Sequence, residues 1–287
     1  MPLVSALAAS HAPNILLEPG REWEDFMDLH YSMAPQGTAS RPTLEQQKKL
    51  RHDAEVAFAA LRRDLDEAKP DVLIVVANDQ FVNFFWNNVP TFFVTIADEV
   101  KGKFTRHQFH YQNHKELGKT LVRAGMEKGI DFSYGEYVEL QHTQNVPLYF
   151  LLPKATIPIL PVYVNTWVDP APSPRRCYQV GELIREVAEK AKERVAILAT
   201  GGLSHFPGSP RIGEIDESFD HQLLEVMRQG NGKSLIDYSV QDLLKAGDTE
   251  FLNWMVVIGA IGDAKATYTS YMPDYVATGW GFVSWKL

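Results

Sequence analysis

The chain has 287 residues, 45% of them hydrophobic and 22% charged, enough to bury a full core and ordinary for a globular protein. A formal net charge of −8 without a basic cluster excludes a nucleic-acid footprint, and a single cysteine, Cys177, excludes a disulfide framework and a thiolate metal cage. The lone cysteine fits a reducing compartment, the apolar N-terminal stretch is short and lacks a basic leader, and no stretch is long enough to span a bilayer; the expected location is cytoplasmic.

In chain order, Leu3 to Ala9 reads as a strand that delivers Ser10-His11-Ala12-Pro13, where Pro13 keeps Ala12 extended and His11 at a strand end. Glu18 to Ser40, rich in Trp, Met, Tyr, Pro and Gly, reads as an irregular loop or lid. Thr43 and Gln46 form a capping box for a helix from Leu44 to about Ala68. Asp71 to Ala77 is an uninterrupted, β-branched run and reads as a buried strand emptying into Asn78-Asp79-Gln80. A second strand spans Thr91 to Ala97, and Lys101 to His114, basic and histidine-rich, reads as loop. A helix over 114–128 leads to Glu139-Leu-Gln-His-Thr-Gln-Asn-Val-Pro147. Ile157 to Val164 reads as a strand, with Pro158 and Pro161 placing it at an edge or marking its first residues. A helix from Cys177 to Arg194 precedes a last buried run, Val195 to Ala199, which breaks at Thr200-Gly201-Gly202 and presents Ser204 and His205. Helices over 215–228, 239–246 and 249–261 follow, then an alternating aromatic stretch, Tyr268 to Trp285, read as strand with loop. No repeat, low-complexity segment or linker interrupts the chain, so residues 1–287 are expected to form a single α/β domain: a central mixed sheet flanked by helices, with its active site at the strand ends.

Those strand ends supply His11, Asn78-Asp79-Gln80, His142 and Ser204-His205, and a helix start supplies Glu250. Each alone could be a turn that happens to carry a histidine. Several apolar strands ending this way argue for a site, because open α/β sheets place their chemistry beyond the C-terminal strand ends. Neutral nitrogen donors and one carboxylate on one face suit a mononuclear metal with open positions, and histidines beyond the ligands suit acid–base work. His107, His110 and His114 read as a solvent-facing loop. Ser204 and His205 are adjacent and point apart, which disfavours a hydrolase pair.

Taken together and in this order, Ser10-His11-Ala12-Pro13, Asn78-Asp79-Gln80, His142 with Val146-Pro147-Leu148, Thr200-Gly-Gly-Leu-Ser-His205, and Glu250 with Trp254 resemble the class III extradiol ring-cleavage dioxygenases, the LigB superfamily of the protocatechuate 4,5-dioxygenase β subunit. The resemblance implies Fe(II) held by His11 and Glu250, His205 as acid–base catalyst and His142 near the substrate hydroxyls. It implies ring opening of a catecholic acid such as protocatechuate, gallate or methylgallate with O2, and assembly as a homo-oligomer or with a small second subunit. Arg106, Lys103 and Arg211 are candidate anchors for the substrate carboxylate; Tyr268, Tyr271 and Trp280 could line the ring pocket but suit core packing better.

One position departs from the pattern. The second ligand histidine of the family's Asn-Asp-His motif is Gln80 here. Its amide oxygen could serve as a weaker ligand, another histidine such as His52 or His114 could take its place, or the metal site could be impaired. The last account defines the competing function, a superfamily member acting as a ligand-binding or interaction protein.

Overall fold

In the computed structural model the described residues are 3–31, 41–207, 209–274 and 278–287, without the side chains of His30 and Tyr31. The chain opens with β1 (Leu3–Ala9), α1 (Arg21–Tyr31), α2 (Leu44–Ala68), β2 (Val72–Ala77) and β3 (Phe92–Thr95). It continues through β4 (Glu99–Phe104), β5 (His107–Gln112), α3 (Lys115–Glu127), β6 (Ser133–Gly135), β7 (Glu139–Leu140), α4 (His142–Leu151) and β8 (Ile159–Val164). The second half holds α5 (Pro174–Lys190), β9 (Val195–Thr200), α6 (Glu217–Gln229), α7 (Val240–Ala246), α8 (Phe251–Ile261), β10 (Tyr268–Asp274) and β11 (Thr278–Lys286).

Eight strands form one mixed sheet in the order β10-β11-β1-β9-β2-β8-β3-β6, and β5-β4-β7 form a small second sheet. The continuous apolar runs of β1, β2 and β9 follow from burial on both faces. Alternate residues divide between two layers. Val72, Ile74 and Val76 pack on one face with α3, α5 and α8, while Leu73 and Val75 pack on the other with α2 and α4. Among the described residues no helix is long and apolar enough to cross a membrane.

Four strands, β1, β9, β2 and β8, run parallel. Ala9 lies opposite Thr200, and Val76 opposite Ala199, so β1, β9 and β2 leave the sheet at nearly one level. This register carries His11, Gly201 and Asn78 to the same edge.

The capping box at Thr43 forms as expected, the Thr43 hydroxyl accepting from the Gln46 amide and the Gln46 side chain from the Thr43 amide. Three local expectations are corrected. Residues 21–31 form α1 rather than loop, since Trp23 and Met27 fall one turn apart and are both buried; residues 32–40 of the expected lid lie outside the described residues. The expected loop over 101–114 is largely the β4–β5 hairpin, which buries Val100, Phe109 and Tyr111 on one face and turns its charged residues outward. Finally, β8 is an interior strand. Its ladder to β3 ends at Val94↔Val162, so Pro161 lies just beyond the last pair that would call for an amide hydrogen.

Candidate active site

At the C-terminal edge of β1, β9 and β2, the three segments that follow these strands converge on the carboxylate of Glu250, which stands at the N-terminus of α8. His11 donates from Nε2 to Glu250, 3.1 Å from Oε2 and 3.2 Å from Oε1. The amide of Asn78 donates to Oε1 at 2.9 Å, the amide of Gln80 donates to Oε1 at 3.2 Å, and the backbone N–H of Gly202 donates to Oε2 at 3.0 Å. His205 Nε2 lies 3.6 Å from Oε2. His11 and Glu250 are 3% and 1% exposed, so this pair sits beneath the surface and meets solvent only through the cavity above it.

Two glycines make the approach possible. Gly201 has φ +147°, in the region that favours glycine, and a Cβ there would stand 3.0 Å from the Cβ of Glu250. A Cβ on Gly202 would meet Thr278 at 2.2 Å. Burial on its own would raise the Glu250 carboxyl; His11, His205 and the Gly202 N–H outweigh it and hold the group well below the usual carboxylate range.

The histidines beside this pair are placed by backbone and packing. The Leu203 carbonyl lies 3.0 Å from His205 Nδ1. A carbonyl only accepts, so Nδ1 carries the hydrogen, and Nε2 is the ring nitrogen turned toward Glu250. The turn that holds His205 is locked from below: Asp220 accepts from the Ser204 N–H at 2.9 Å and from the Ser204 hydroxyl at 2.8 Å. Ser204 therefore faces Asp220 and not His205, as adjacency suggested. His142 opens α4 two residues past the end of β7, as the strand-end reading expected, with its ring edge-on to His11 at 5.5 Å between centroids. His11 Nδ1 lies 3.2 Å from the Thr200 hydroxyl.

The triplet after β2 divides its labour. Asn78 bonds Glu250 and accepts from Asn253 at 3.3 Å, while Asp79 accepts the backbone N–H groups of Val82, Asn83 and Phe84 and so ties the following turn. Gln80 is half-buried and reaches the carboxylate. His52 and His114 do not take its place: His52 is exposed on α2, and His114 caps α3 by accepting the Leu117 N–H. His107 packs on Tyr149 and His110 pairs with Glu99, both away from the site.

A cavity of about 260 Å³ opens over this group, with His11, Gln80, His142, His205 and Glu250 in its wall. Phe26 of α1 and Trp167 after β8 complete the wall and were not anticipated from sequence. Trp167 follows a strand end like the other site residues, and that signal could have found it. The three basic residues considered as anchors do not line the cavity: Arg106 pairs with Glu18 and Glu22, Arg211 bonds Glu214 and the Lys245 carbonyl, and Lys103 lies on β4 outside the wall. Trp280 and Tyr271 are spent on packing and on Asp220, and Tyr268 packs against the core.

With this geometry in view, comparison with known proteins is decisive at the family level. The family model described as the catalytic LigB subunit of aromatic ring-opening dioxygenase matches residues 6–283. The chain belongs to this family. Among curated LigB-type relatives, a 2,3-dihydroxyphenylpropionate/2,3-dihydroxicinnamic acid 1,2-dioxygenase of Klebsiella pneumoniae is 30% identical over 179 residues, covering 62% of this chain and 55% of the relative. Its counterpart in Escherichia coli O139:H28 is 29% identical over the same length. The chain thus spans about half the length of the curated relatives it matches. The uncharacterized protein JW3007 from Escherichia coli K12, a solved structure, covers 98% of this chain with a TM-score of 0.54 at 13% identity, and shows the fold alone.

Among the described residues no three His, Cys, Asp or Glu side chains group as a metal site. The side chains that converge on the Glu250 carboxylate are two imidazoles, His11 and His205, and two amides, Asn78 and Gln80. They are oxygen and nitrogen donors of the kind that suits Fe(II). An amide's oxygen and nitrogen ends exchange by a half-turn and are assigned from the partners present. Facing a carboxylate, Gln80 offers nitrogen; facing a cation it can offer oxygen. By donor type the residues could hold such an ion, with an amide at position 80 as a weaker donor than imidazole.

Proposed function

We propose that the chain is an Fe(II)-dependent extradiol dioxygenase that opens an aromatic ortho-diol with O2. The observation that carries this reading is the meeting of His11 and Glu250 at 3.1 Å, buried, beneath a cavity that also presents His205 and His142. His11, Glu250 and Gln80 would hold the iron. Bound there, Fe(II) would let electrons pass between a chelated diol and dioxygen. His205 would accept and return a proton at Nε2, because its Nδ1 hydrogen is committed to the Leu203 carbonyl. His142 would orient a ring hydroxyl from the far side of the His11 ring. The half-buried aromatic wall of Phe26 and Trp167 would limit water around the diol. The span of the family match supports treating residues 1–287 as one catalytic domain. Assembly as a homo-oligomer or with a small second subunit belongs to the same reading, and light scattering on the purified chain tests it.

A second reading rests on a specific observation. The Gln80 N–H completes a set of donors that satisfies Glu250 with no cation present, which suits a metal-impaired ligand-binding member of the family. Anaerobic loading with Fe(II), metal analysis and oxygen uptake on catechol decide between the two. The dioxygenase reading expects near-stoichiometric iron and oxygen consumption with a coloured product. If only Gln80→His binds iron and consumes oxygen, the metal-impaired reading stands.

A further inference from the structure

We infer that the aromatic diol taken by this site carries an uncharged, apolar substituent, housed in a second cavity beside the first. The inference rests on the ring-cleavage reading and concerns the part of the substrate that the reaction leaves alone. The second cavity has about 240 Å³ and shares Trp167, His205 and Pro207 with the first as a common wall. Neither reaches the roughly 300–1,000 Å³ usual for a small-molecule site; the two together do. Val168, Ala171, Phe206, Val240 and Leu244 make the second cavity predominantly apolar.

Charge points the same way. The formally charged carboxylates in the two walls are Glu250 in the first and Asp169 in the second, both anionic. Among the described residues no Lys or Arg lines either cavity, and the stretches outside them (1–2, 32–40, 208 and 275–277) contain no Lys or Arg. Arg211 is stacked 3.6 Å over the Phe206 ring, and its guanidinium is engaged by Glu214 and the Lys245 carbonyl. A substituent carboxylate would be desolvated here with no Lys or Arg beside it and with Asp169 in the same wall, which costs far more than burying an alkyl chain of the same length. Trp167 stands between the cavities, edge-on to His205 at 6.3 Å, and its indole N–H has no hydrogen-bond partner.

The test compares 3-propylcatechol, catechol and 2,3-dihydroxyphenylpropionate in two assays. Binding to the purified full chain is followed by tryptophan fluorescence, and turnover of the Fe(II)-loaded chain by oxygen uptake. Expected is binding of 3-propylcatechol about tenfold or more tighter than either other compound, the worth of a few buried methylenes, and the same order in kcat/KM. Val240→Trp, which fills the second cavity, should bring the ratio of 3-propylcatechol to catechol close to one in both assays. Equal or tighter binding of 2,3-dihydroxyphenylpropionate, or an unchanged ratio in Val240→Trp, overturns the inference. If the binding order holds but no compound is turned over, the second cavity is confirmed and the ring-cleavage reading is the one that falls.

Discussion

Replacing Asp220 by alanine tests whether the His205 turn is held from beneath. Asp220 is fully buried and accepts three hydrogen bonds, from the Ser204 N–H at 2.9 Å, the Ser204 hydroxyl at 2.8 Å and the Tyr271 hydroxyl at 2.5 Å. Hydrogen bonds to a charged group contribute roughly 1.5–3 kcal/mol each, and a buried donor left without an acceptor costs about 1–3 kcal/mol. The three are not independent, and the burial that pushes the Asp220 carboxyl up offsets part of their worth. The Ser204 hydroxyl keeps one role, accepting the Asp216 N–H at 2.7 Å. The expected loss for Asp220→Ala is therefore about 3 kcal/mol, against about 1 kcal/mol for Tyr271→Phe, which removes one bond only. Urea unfolding at neutral pH measures both, and an unchanged m-value confirms that the two states compared are the same. In the same variant kcat should fall more than KM rises, because the turn that aims His205 is loosened while the cavity walls remain. A loss below about 1 kcal/mol, or equal losses in the two variants, would refute the claim that Asp220 locks this turn.

Gly201→Ala should cost about 2–3 kcal/mol, since it adds a side chain at φ +147° and presses a Cβ to 3.0 Å from Glu250; urea midpoints and iron content should fall together. Asp248 is fully buried, and burial together with the charge of Asp220, whose carboxyl it shares a hydrogen bond with, holds its own carboxyl well above the usual range. A carboxyl whose folded pKa is raised contributes stability below its unfolded value of about 3.9 and loses it as pH rises through the folded pKa. Asp248→Asn is thus expected to match the parent near pH 4 and to exceed it increasingly toward pH 8, read as urea midpoints across that range. A difference that does not vary with pH would sink this account.

Much of the fold was legible because its central strands are continuous apolar runs between turn signals. Asp71–Ala77 and Val195–Ala199 needed no tertiary information to be recognised as buried strands, and Leu3–Ala9, with Ser5 inside it, was recognisable as a strand of small and apolar residues. The β4–β5 hairpin was not legible, because its turn at Thr105-Arg106 carries no glycine or proline and histidine, lysine and glutamine fill its outer face. Helix α1 was masked by the Pro and Gly residues around it, although Trp23, Phe26 and Met27 already had helical spacing. Site residues were legible as strand ends, but not how they meet. That His11 lies opposite Glu250 across 239 residues is fixed by the register of β1 on β9 and by α8 packing back against β9 and β1.

The replacement at position 80 shows what a single side chain can change without disturbing that frame. Glu250 is buried, so each lone pair it points away from solvent must find a donor or a cation. Asn78, Gly202 and His11 provide three donors whatever stands at position 80. An imidazole at 80 can satisfy the carboxylate only with its own N–H or through a shared ion. An amide supplies a donor with one end and an acceptor with the other, and so serves the carboxylate in either state. Gln80 consequently supports the ion-free arrangement by donating to Glu250 at 3.2 Å. On the dioxygenase reading, weaker metal retention with an intact fold is the expected outcome, measured as iron content after dialysis against that of Gln80→His, with no movement of His11, His142 or His205.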